Sequence, residues 1–300
     1  MKREEIRGLW LGLVGVVIFA LTLPMTRLAV GTPGDPQMSG VFIALGRAVV
    51  AAALSATFLV ATRAPWPRRD QWLPLALTSA GVVFGFPLFT SIAMRYVEAV
   101  HASVIVGVLP LATAAVGAAL HRQRPSAGFW VCAGIGSVLV VAFALLKSDT
   151  QGFGLHLADG LLLAAMACAA VGYGYGARLS QTMRAEHVIC WALVMALPLT
   201  LPLSVGSLPR HPLHLSAWWG FAYVAVFSMW IGFFAWYRGL ALGGTVRVSQ
   251  VQLVQPFLSM LFAVPLLGEQ LDALTLGFAL AVIATVFVGK KMPVRALPAH

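Results

Sequence analysis

The feature that most constrains this chain is a repeated one. About ten runs of roughly twenty apolar residues follow each other, separated by short segments where Pro, Gly and charge collect. A helix of that length and character spans the hydrocarbon of a bilayer. The runs predict helices over 8–28, 39–61, 72–93, 99–120, 127–146, 157–179, 187–206, 216–238, 246–267 and 272–290. GTPGDPQ at 31–37, APWPRRD at 64–70, HRQRP at 121–125 and LPRHP at 208–212 mark connections. Composition agrees: only 10% of residues are charged, against about 25% in globular domains. The expected fold is an all-α membrane protein of ten transmembrane helices, with the lipid bilayer as a partner.

The charges give the expected orientation. With the N-terminus inside, fifteen of the twenty Lys and Arg fall in inner segments. Four, Arg27, Arg95, Lys147 and Arg210, fall in outer ones, and Arg47 lies within a helix. That asymmetry predicts a multi-pass protein of the bacterial inner membrane with both termini cytoplasmic. The net charge of +10 belongs to loops, not to a folded basic face, so nucleic acid is not an expected partner. The first apolar run is too long for a cleavable signal peptide and lacks a small-residue cleavage site.

The chain echoes itself. An offset of 146 sets Pro110 on Pro256, and with it Val100 on Val246, Ser103 on Ser249, Val108 on Val254 and Leu120 on Leu266. Near the start of each half, GLWL at Gly8 resembles GLLL at Gly160. Each of these segments ends in an Arg-Leu pair, Arg27-Leu28 and Arg178-Leu179, with one residue of slippage. Two halves follow, 1–147 and 148–300, each of five helices. Five is odd, so the copies must lie in opposite orientations. An inverted repeat places a substrate site between its halves, near the midplane.

The ninth run is the most unusual. Ser249, Gln252, Gln255 and Ser259 fall on one side of a helix at 100° per residue. Amides are costly in hydrocarbon, so that side should face a protein-lined or wet cavity. Pro256 removes a backbone hydrogen bond at mid-helix and predicts a kink or local opening.

The Pro110 and Pro256 helices, LLGEQ at 266–270, Arg27 ending the first helix and Arg47 early in the second together resemble the drug/metabolite transporter superfamily, in its ten-helix EamA-type branch. The likeness covers about the whole chain. HRQR at 121–124 departs from it, standing where an acidic "GE" ending is often seen. The resemblance implies export of small metabolites, and its nearest fit is an aromatic-tolerant amino-acid exporter of the YddG type.

Substrate contacts are expected from Phe84, Ser103, Tyr173, Trp230, Phe234, Ser249, Gln252 and Gln255, with Pro110 and Pro256 as hinges. Phe86, Tyr175, Phe233 and Trp236 belong to the same mid-membrane aromatic set. Such rings hold flat, apolar or cationic ligands by stacking and cation–π contact; a lipid-facing or interfacial belt is the alternative. Arg47 sits about 12 Å into its helix. A structural charge there, paired with Glu98 or with helix-end carbonyls, is favoured over attraction of a substrate carboxylate. With no Asp or Glu deep in a helix and His101 read as a polar cap, a facilitator with weak coupling or none is expected.

GYGYG at 172–176 looks like an ion filter, but Gly172 and Gly176 four apart in an apolar run fit close helix packing better. Cys132, Cys168 and Cys190 read as packing residues. His211 and His214 have no third ligand near them, so no metal and no cofactor is expected. No G-x-x-x-x-G-K-[ST], H-E-x-x-H or G-x-S-x-G is present, and no catalytic residue is expected. The reading is therefore a monomeric secondary transporter of small molecules, amino acids first, working by alternating access. A drug or other-metabolite exporter, a channel-like facilitator, a structural membrane protein and a membrane-embedded enzyme are its rivals.

Overall fold

The structure is a computed structural model that describes residues 3–120, 123–147, 157–243, 248–292 and 294–296, with only the backbone described at some of them. Among the described residues, seven helices are long and apolar enough to cross a membrane, and three shorter apolar ones accompany them. In chain order we label the helices α1 (Arg3–Val30), α2 (Gly40–Ala61), α3 (Arg69–Ala93), α4 (Ala99–Val106 and Leu109–Leu120), α5 (Ala127–Lys147), α6 (Leu157–Leu179), α7 (Ala185–Gly206), α8 (Leu215–Gly243), α9 (Ser249–Leu267) and α10 (Ala273–Lys291). Two short strands, β1 (Gln123–Pro125) and β2 (Val294–Ala296), pair antiparallel and tie the chain after α4 to the chain after α10.

Several spans are interrupted, and the interruptions have local causes. At Pro24 the ring has no N–H for the Ala20 carbonyl, and α1 breaks into Arg3–Ala20 and Thr22–Val30. The freed Ala20 carbonyl accepts the Ser259 hydroxyl of α9 instead. Pro110 lies just past a two-residue interruption of α4 at 107–108. Pro256 lies just past a 3-10 stretch, Ser249–Val254, that opens α9. Stretches of π-helix occupy Ser79–Gly85 in α3 and Val224–Ile231 in α8, and the offset of 146 that matches the prolines lays the first on residues 225–231 of the second. Defects of this kind cost hydrogen bonds and gather at functional sites.

The helices pair across the two halves. Within the bundle α2 packs on α7, α4 on α9 and α5 on α10, while α1 packs on α8 and α3 on α6. Exchanging the first five spans for the last five leaves this set of pairs unchanged. Glycines permit close crossings. A Cβ on Gly8 would lie 2.4 Å from the Gly243 nitrogen, and one on Gly239 would lie 2.8 Å from the Gly12 nitrogen. In α6 the GYGYG run is continuous helix. A Cβ on Gly81 of α3 would lie 2.7 Å from the Gly172 nitrogen, and one on Gly176 2.2 Å from the Tyr237 hydroxyl. These are small-residue contacts of the kind membrane helices use. The three cysteines are free thiols, with Cys132 and Cys190 buried.

Candidate functional site

At the centre of the bundle, where both halves meet, a narrow cavity is lined by Phe19 and Thr22 of α1, Arg47 of α2, Val82 and Phe86 of α3, Leu109 of α4, Tyr173 of α6, Ser228, Met229 and Phe233 of α8, and Gln255 of α9. Its water-accessible volume is about 20 Å³, room for about one water molecule. Six of its lining residues form three matched pairs. Val82 and Ser228 stand in the two π-helical stretches at the offset of 146, and Leu109 and Gln255 precede the two prolines at that same offset. Thr22 and Tyr173 are matched by the offset of 151 that sets Arg27 on Arg178.

Three aromatic rings form one wall. The Phe19 centroid lies 5.0 Å from Phe233 and 6.5 Å from Tyr173, and Tyr173 lies 6.1 Å from Phe233. Thr22 Oγ1 and Ser228 Oγ share a hydrogen bond of 2.8 Å across the α1–α8 contact. Arg47 is 2% exposed, and its Nε and Nη1 have no hydrogen-bond partner. It is the only charged side chain among the cavity's lining residues.

The expected site residues divide. Tyr173 and Gln255 line the cavity. Trp230 and Phe234 instead pack with Phe58, at 6.2 and 5.0 Å, on another side of α8. Phe84 packs against the core outside the cavity wall. The Ser103 hydroxyl donates to the Ala99 carbonyl of its own helix at 2.6 Å. Gln252 is buried with both amide atoms unpartnered, outside the cavity wall. The Ser249 side chain lies outside the described residues. Pro110 and Pro256 flank the interruptions of α4 and α9.

The expected Arg47–Glu98 pair is absent: among the described residues neither side chain enters an ion pair. The reason is position. Arg47 is inside the bundle, whereas Glu98 sits at one end of it with Arg27 and Glu269, in a pocket of about 290 Å³. One acid is buried in the first turn of α6. Asp159, third residue of α6, is 1% exposed and meets His101 Nε2 at 2.7 Å. His101 is thus hydrogen-bonded to an acid of α6 and is not a free polar cap.

The sequence reading missed Thr22, Val82, Leu109, Ser228 and Met229. Two signals pointed there. Ser228 is a lone hydroxyl in an apolar run, and projecting Gln255 and Ser228 back by 146 lands on Leu109 and Val82. Phe19, Phe86 and Phe233 carry no signal beyond being aromatic.

The two ends of the bundle are closed by different chemistry. At the end holding Glu98, Gly268 terminates α9 in the left-handed region with φ of 68°, the conformation glycine adopts without penalty. The turn delivers Glu269 to the start of α4, where its two oxygens accept the Ala99 and Val100 N–H groups at 2.8 Å each. A carboxylate at a helix N-terminus is favourably placed. Burial pushes the Glu269 carboxyl above the ordinary carboxylate range, and the Val100 and Ala99 N–H groups pull against that rise. Arg27 and Arg95 donate to the Met94 and Met38 carbonyls at 2.5 and 2.6 Å. At the opposite end, a pocket of about 620 Å³ is lined by Trp66, Arg68, Gln71, Gln181, Arg184, His187 and Trp191, among others. There Glu186 pairs with Arg238 at 2.6 Å.

A solved crystal structure, 18% identical to this chain, covers 95% of it and 98% of its own length with a TM-score of 0.62, and shares the fold. The uncharacterized transporter YdeK of Bacillus subtilis (strain 168) is 40% identical over 282 residues, which are 93% of this chain and 96% of that protein. Spanning the membrane several times and similar over nearly its whole length to a transporter, this chain is a membrane transporter. The model of the EamA-like transporter family matches it twice, over residues 6–146 and 156–289, and the chain belongs to that family.

Proposed function

We propose that this chain is a secondary transporter of the bacterial inner membrane that exports small amphipathic metabolites, amino acids including aromatic ones, by alternating access. One observation carries the reading: matched positions of the two halves, with three clustered rings, line a single central cavity. The double family match, the matched π-helical stretches and the self-consistent helix pairing support an inverted repeat of ten spans. The asymmetry of Lys and Arg favours both termini in the cytoplasm, with the Glu269 end outside. The protein works as a monomer in this reading.

A cavity of about 20 Å³ is a closed state, so the helices must move apart for substrate to enter. The interruptions of α4 and α9 beside Pro110 and Pro256 are where such motion costs fewest hydrogen bonds. Substrate would bind from the larger cytoplasmic pocket, and release of the Glu269 contact would open the other side. The experiment is release of labelled amino acids from loaded proteoliposomes. Saturable release faster than from protein-free liposomes is expected. If no amino acid leaves faster than from protein-free liposomes, the amino-acid assignment fails.

A further inference from the structure

Arg47 is the one group in the cavity whose chemistry is not balanced within the protein. Eight residues into α2, it lies about 11 Å below the helix end, and it is 2% exposed. Guanidinium groups at such depth ordinarily pair with a carboxylate or with carbonyls. Here Nε and Nη1 have no partner. The acids at the Glu269 end bind backbone or face solvent, and Glu186 at the other end is held by Arg238. A buried guanidinium with two donors left unpaired calls for an anionic acceptor, and a carboxylate is one that it binds well.

The rest of the wall says what else is read. No acid is among the lining residues, so an ammonium group finds no counter-ion there. The apolar remainder of a ligand meets the rings of Phe19, Tyr173 and Phe233. Gln255 and the Thr22–Ser228 hydroxyl pair offer neutral hydrogen bonds. On the reading of this cavity as the transport site, we propose that it recognises the carboxylate of its substrate through Arg47 and does not require the amino group. Its substrate class is then small monocarboxylates with an apolar or aromatic remainder, of which amino acids are one subset.

Two measurements test this without relying on transport. The first is the melting temperature of the purified, unliganded protein. An unpartnered buried charge destabilises the fold, so Arg47→Met should melt higher than wild type. A structurally paired arginine predicts the opposite, and a lower melting temperature for Arg47→Met overturns the proposal. The second is protection against melting by phenylacetate, phenylalanine and phenethylamine, since a ligand that binds only the folded state raises its stability. Phenylacetate and phenylalanine should protect wild type and phenethylamine should not. Arg47→Gln should lose at least about tenfold in apparent affinity for both carboxylates, and Arg47→Lys should lose less. Equal protection by phenethylamine, or an unchanged response of Arg47→Gln, overturns the proposal. Protection by the carboxylates with no flux in proteoliposomes would retain the site and reject the transport reading instead.

Discussion

His101 Nε2 lies 2.7 Å from Asp159 Oδ1, across the contact between α4 and α6. The other oxygen, Asp159 Oδ2, is buried and has no partner. The imidazole, its ring 5.0 Å from that of Phe143, is therefore the whole of this carboxylate's compensation. Removing one member of such a pair leaves an uncompensated buried charge, whereas replacing the acid by a neutral isostere does not. His101→Ala should cost about 3 kcal/mol, and Asp159→Asn about 1 kcal/mol. In the double variant His101→Ala/Asp159→Asn the cost should fall below the sum, because the orphaned charge is gone. Urea unfolding in detergent reads all three. Additive losses would mean that the two side chains do not depend on each other.

Glu269 is the contact that holds the end of α9 against the start of α4. Its carboxyl is raised in the folded protein, chiefly by burial, so the fold binds a proton there more readily than the unfolded chain does. That contribution to stability is fully present below the ordinary carboxylate range and disappears as pH rises through the raised value. The wild-type melting temperature should therefore fall relative to that of Glu269→Gln as pH rises from about 4 into the weakly acidic range. The variant keeps one acceptor oxygen where the carboxylate offers two, and it loses the negative charge. At neutral pH it should expose this mouth, so a cysteine placed at Leu28, half-buried and lining the same pocket, should react faster with a membrane-impermeant maleimide. An unchanged rate would show that Glu269 does not hold the mouth closed.

The α1–α8 crossing depends on backbone approaching backbone. A Cβ at Gly239 would meet the Gly12 nitrogen at 2.8 Å and the Gly8 carbonyl oxygen at 3.0 Å, neither of which can rotate away. Gly239→Val should destabilise by about 1–3 kcal/mol through overpacking. It should also weaken the Thr22–Ser228 hydrogen bond, because both ends ride on the separated helices. Gly277 of α10, with nothing within 4 Å of an added Cβ, is the matched control. Gly277→Ala should be neutral or slightly stabilising, since alanine is the better helix former. The ratio of folded protein recovered after heating distinguishes the two.

What could be read in the sequence follows from what hydrophobicity and backbone chemistry specify locally. Spans are legible because twenty apolar residues have few alternatives in water, and Pro110 and Pro256 are legible because a missing N–H acts on its own helix. The site is less legible. Tyr173 and Gln255 are polar residues in apolar runs, so their placement can be argued from one helix alone. Trp230 and Phe234 carry the same signal, yet the π-helical stretch from Val224 to Ile231 alters the facing of α8, and Ser228 and Phe233 reach the cavity instead. Leu109 and Val82 look like lipid-facing residues until their counterparts in the other half are known. Arg47 and Glu98 read as a pair because a charge inside a helix needs a partner and Glu98 is an acid expected on the outer side. Their separation is set by tertiary packing, which no single run encodes.

On the proposed inverted repeat, Gln255 and Leu109 test whether the two halves differ chemically at the cavity. They occupy matched positions before matched prolines, one an amide and the other a hydrocarbon. Gln255→Leu keeps a side chain of comparable size and makes the two positions alike. It removes an amide from a 7% exposed position, so it should leave the fold intact and change stability by less than about 1 kcal/mol. One neutral hydrogen bond to substrate is worth about 0.5–1.5 kcal/mol, so the apparent affinity for phenylalanine should fall by about threefold to tenfold. Phenylacetate has no amino group for the amide to contact, and its affinity should change less. If the variant weakens both ligands equally, Gln255 contacts the carboxylate or shapes the cavity without reading the amino group. If it weakens neither, the amide faces away from bound substrate, and the difference between the halves at this position has no part in recognition.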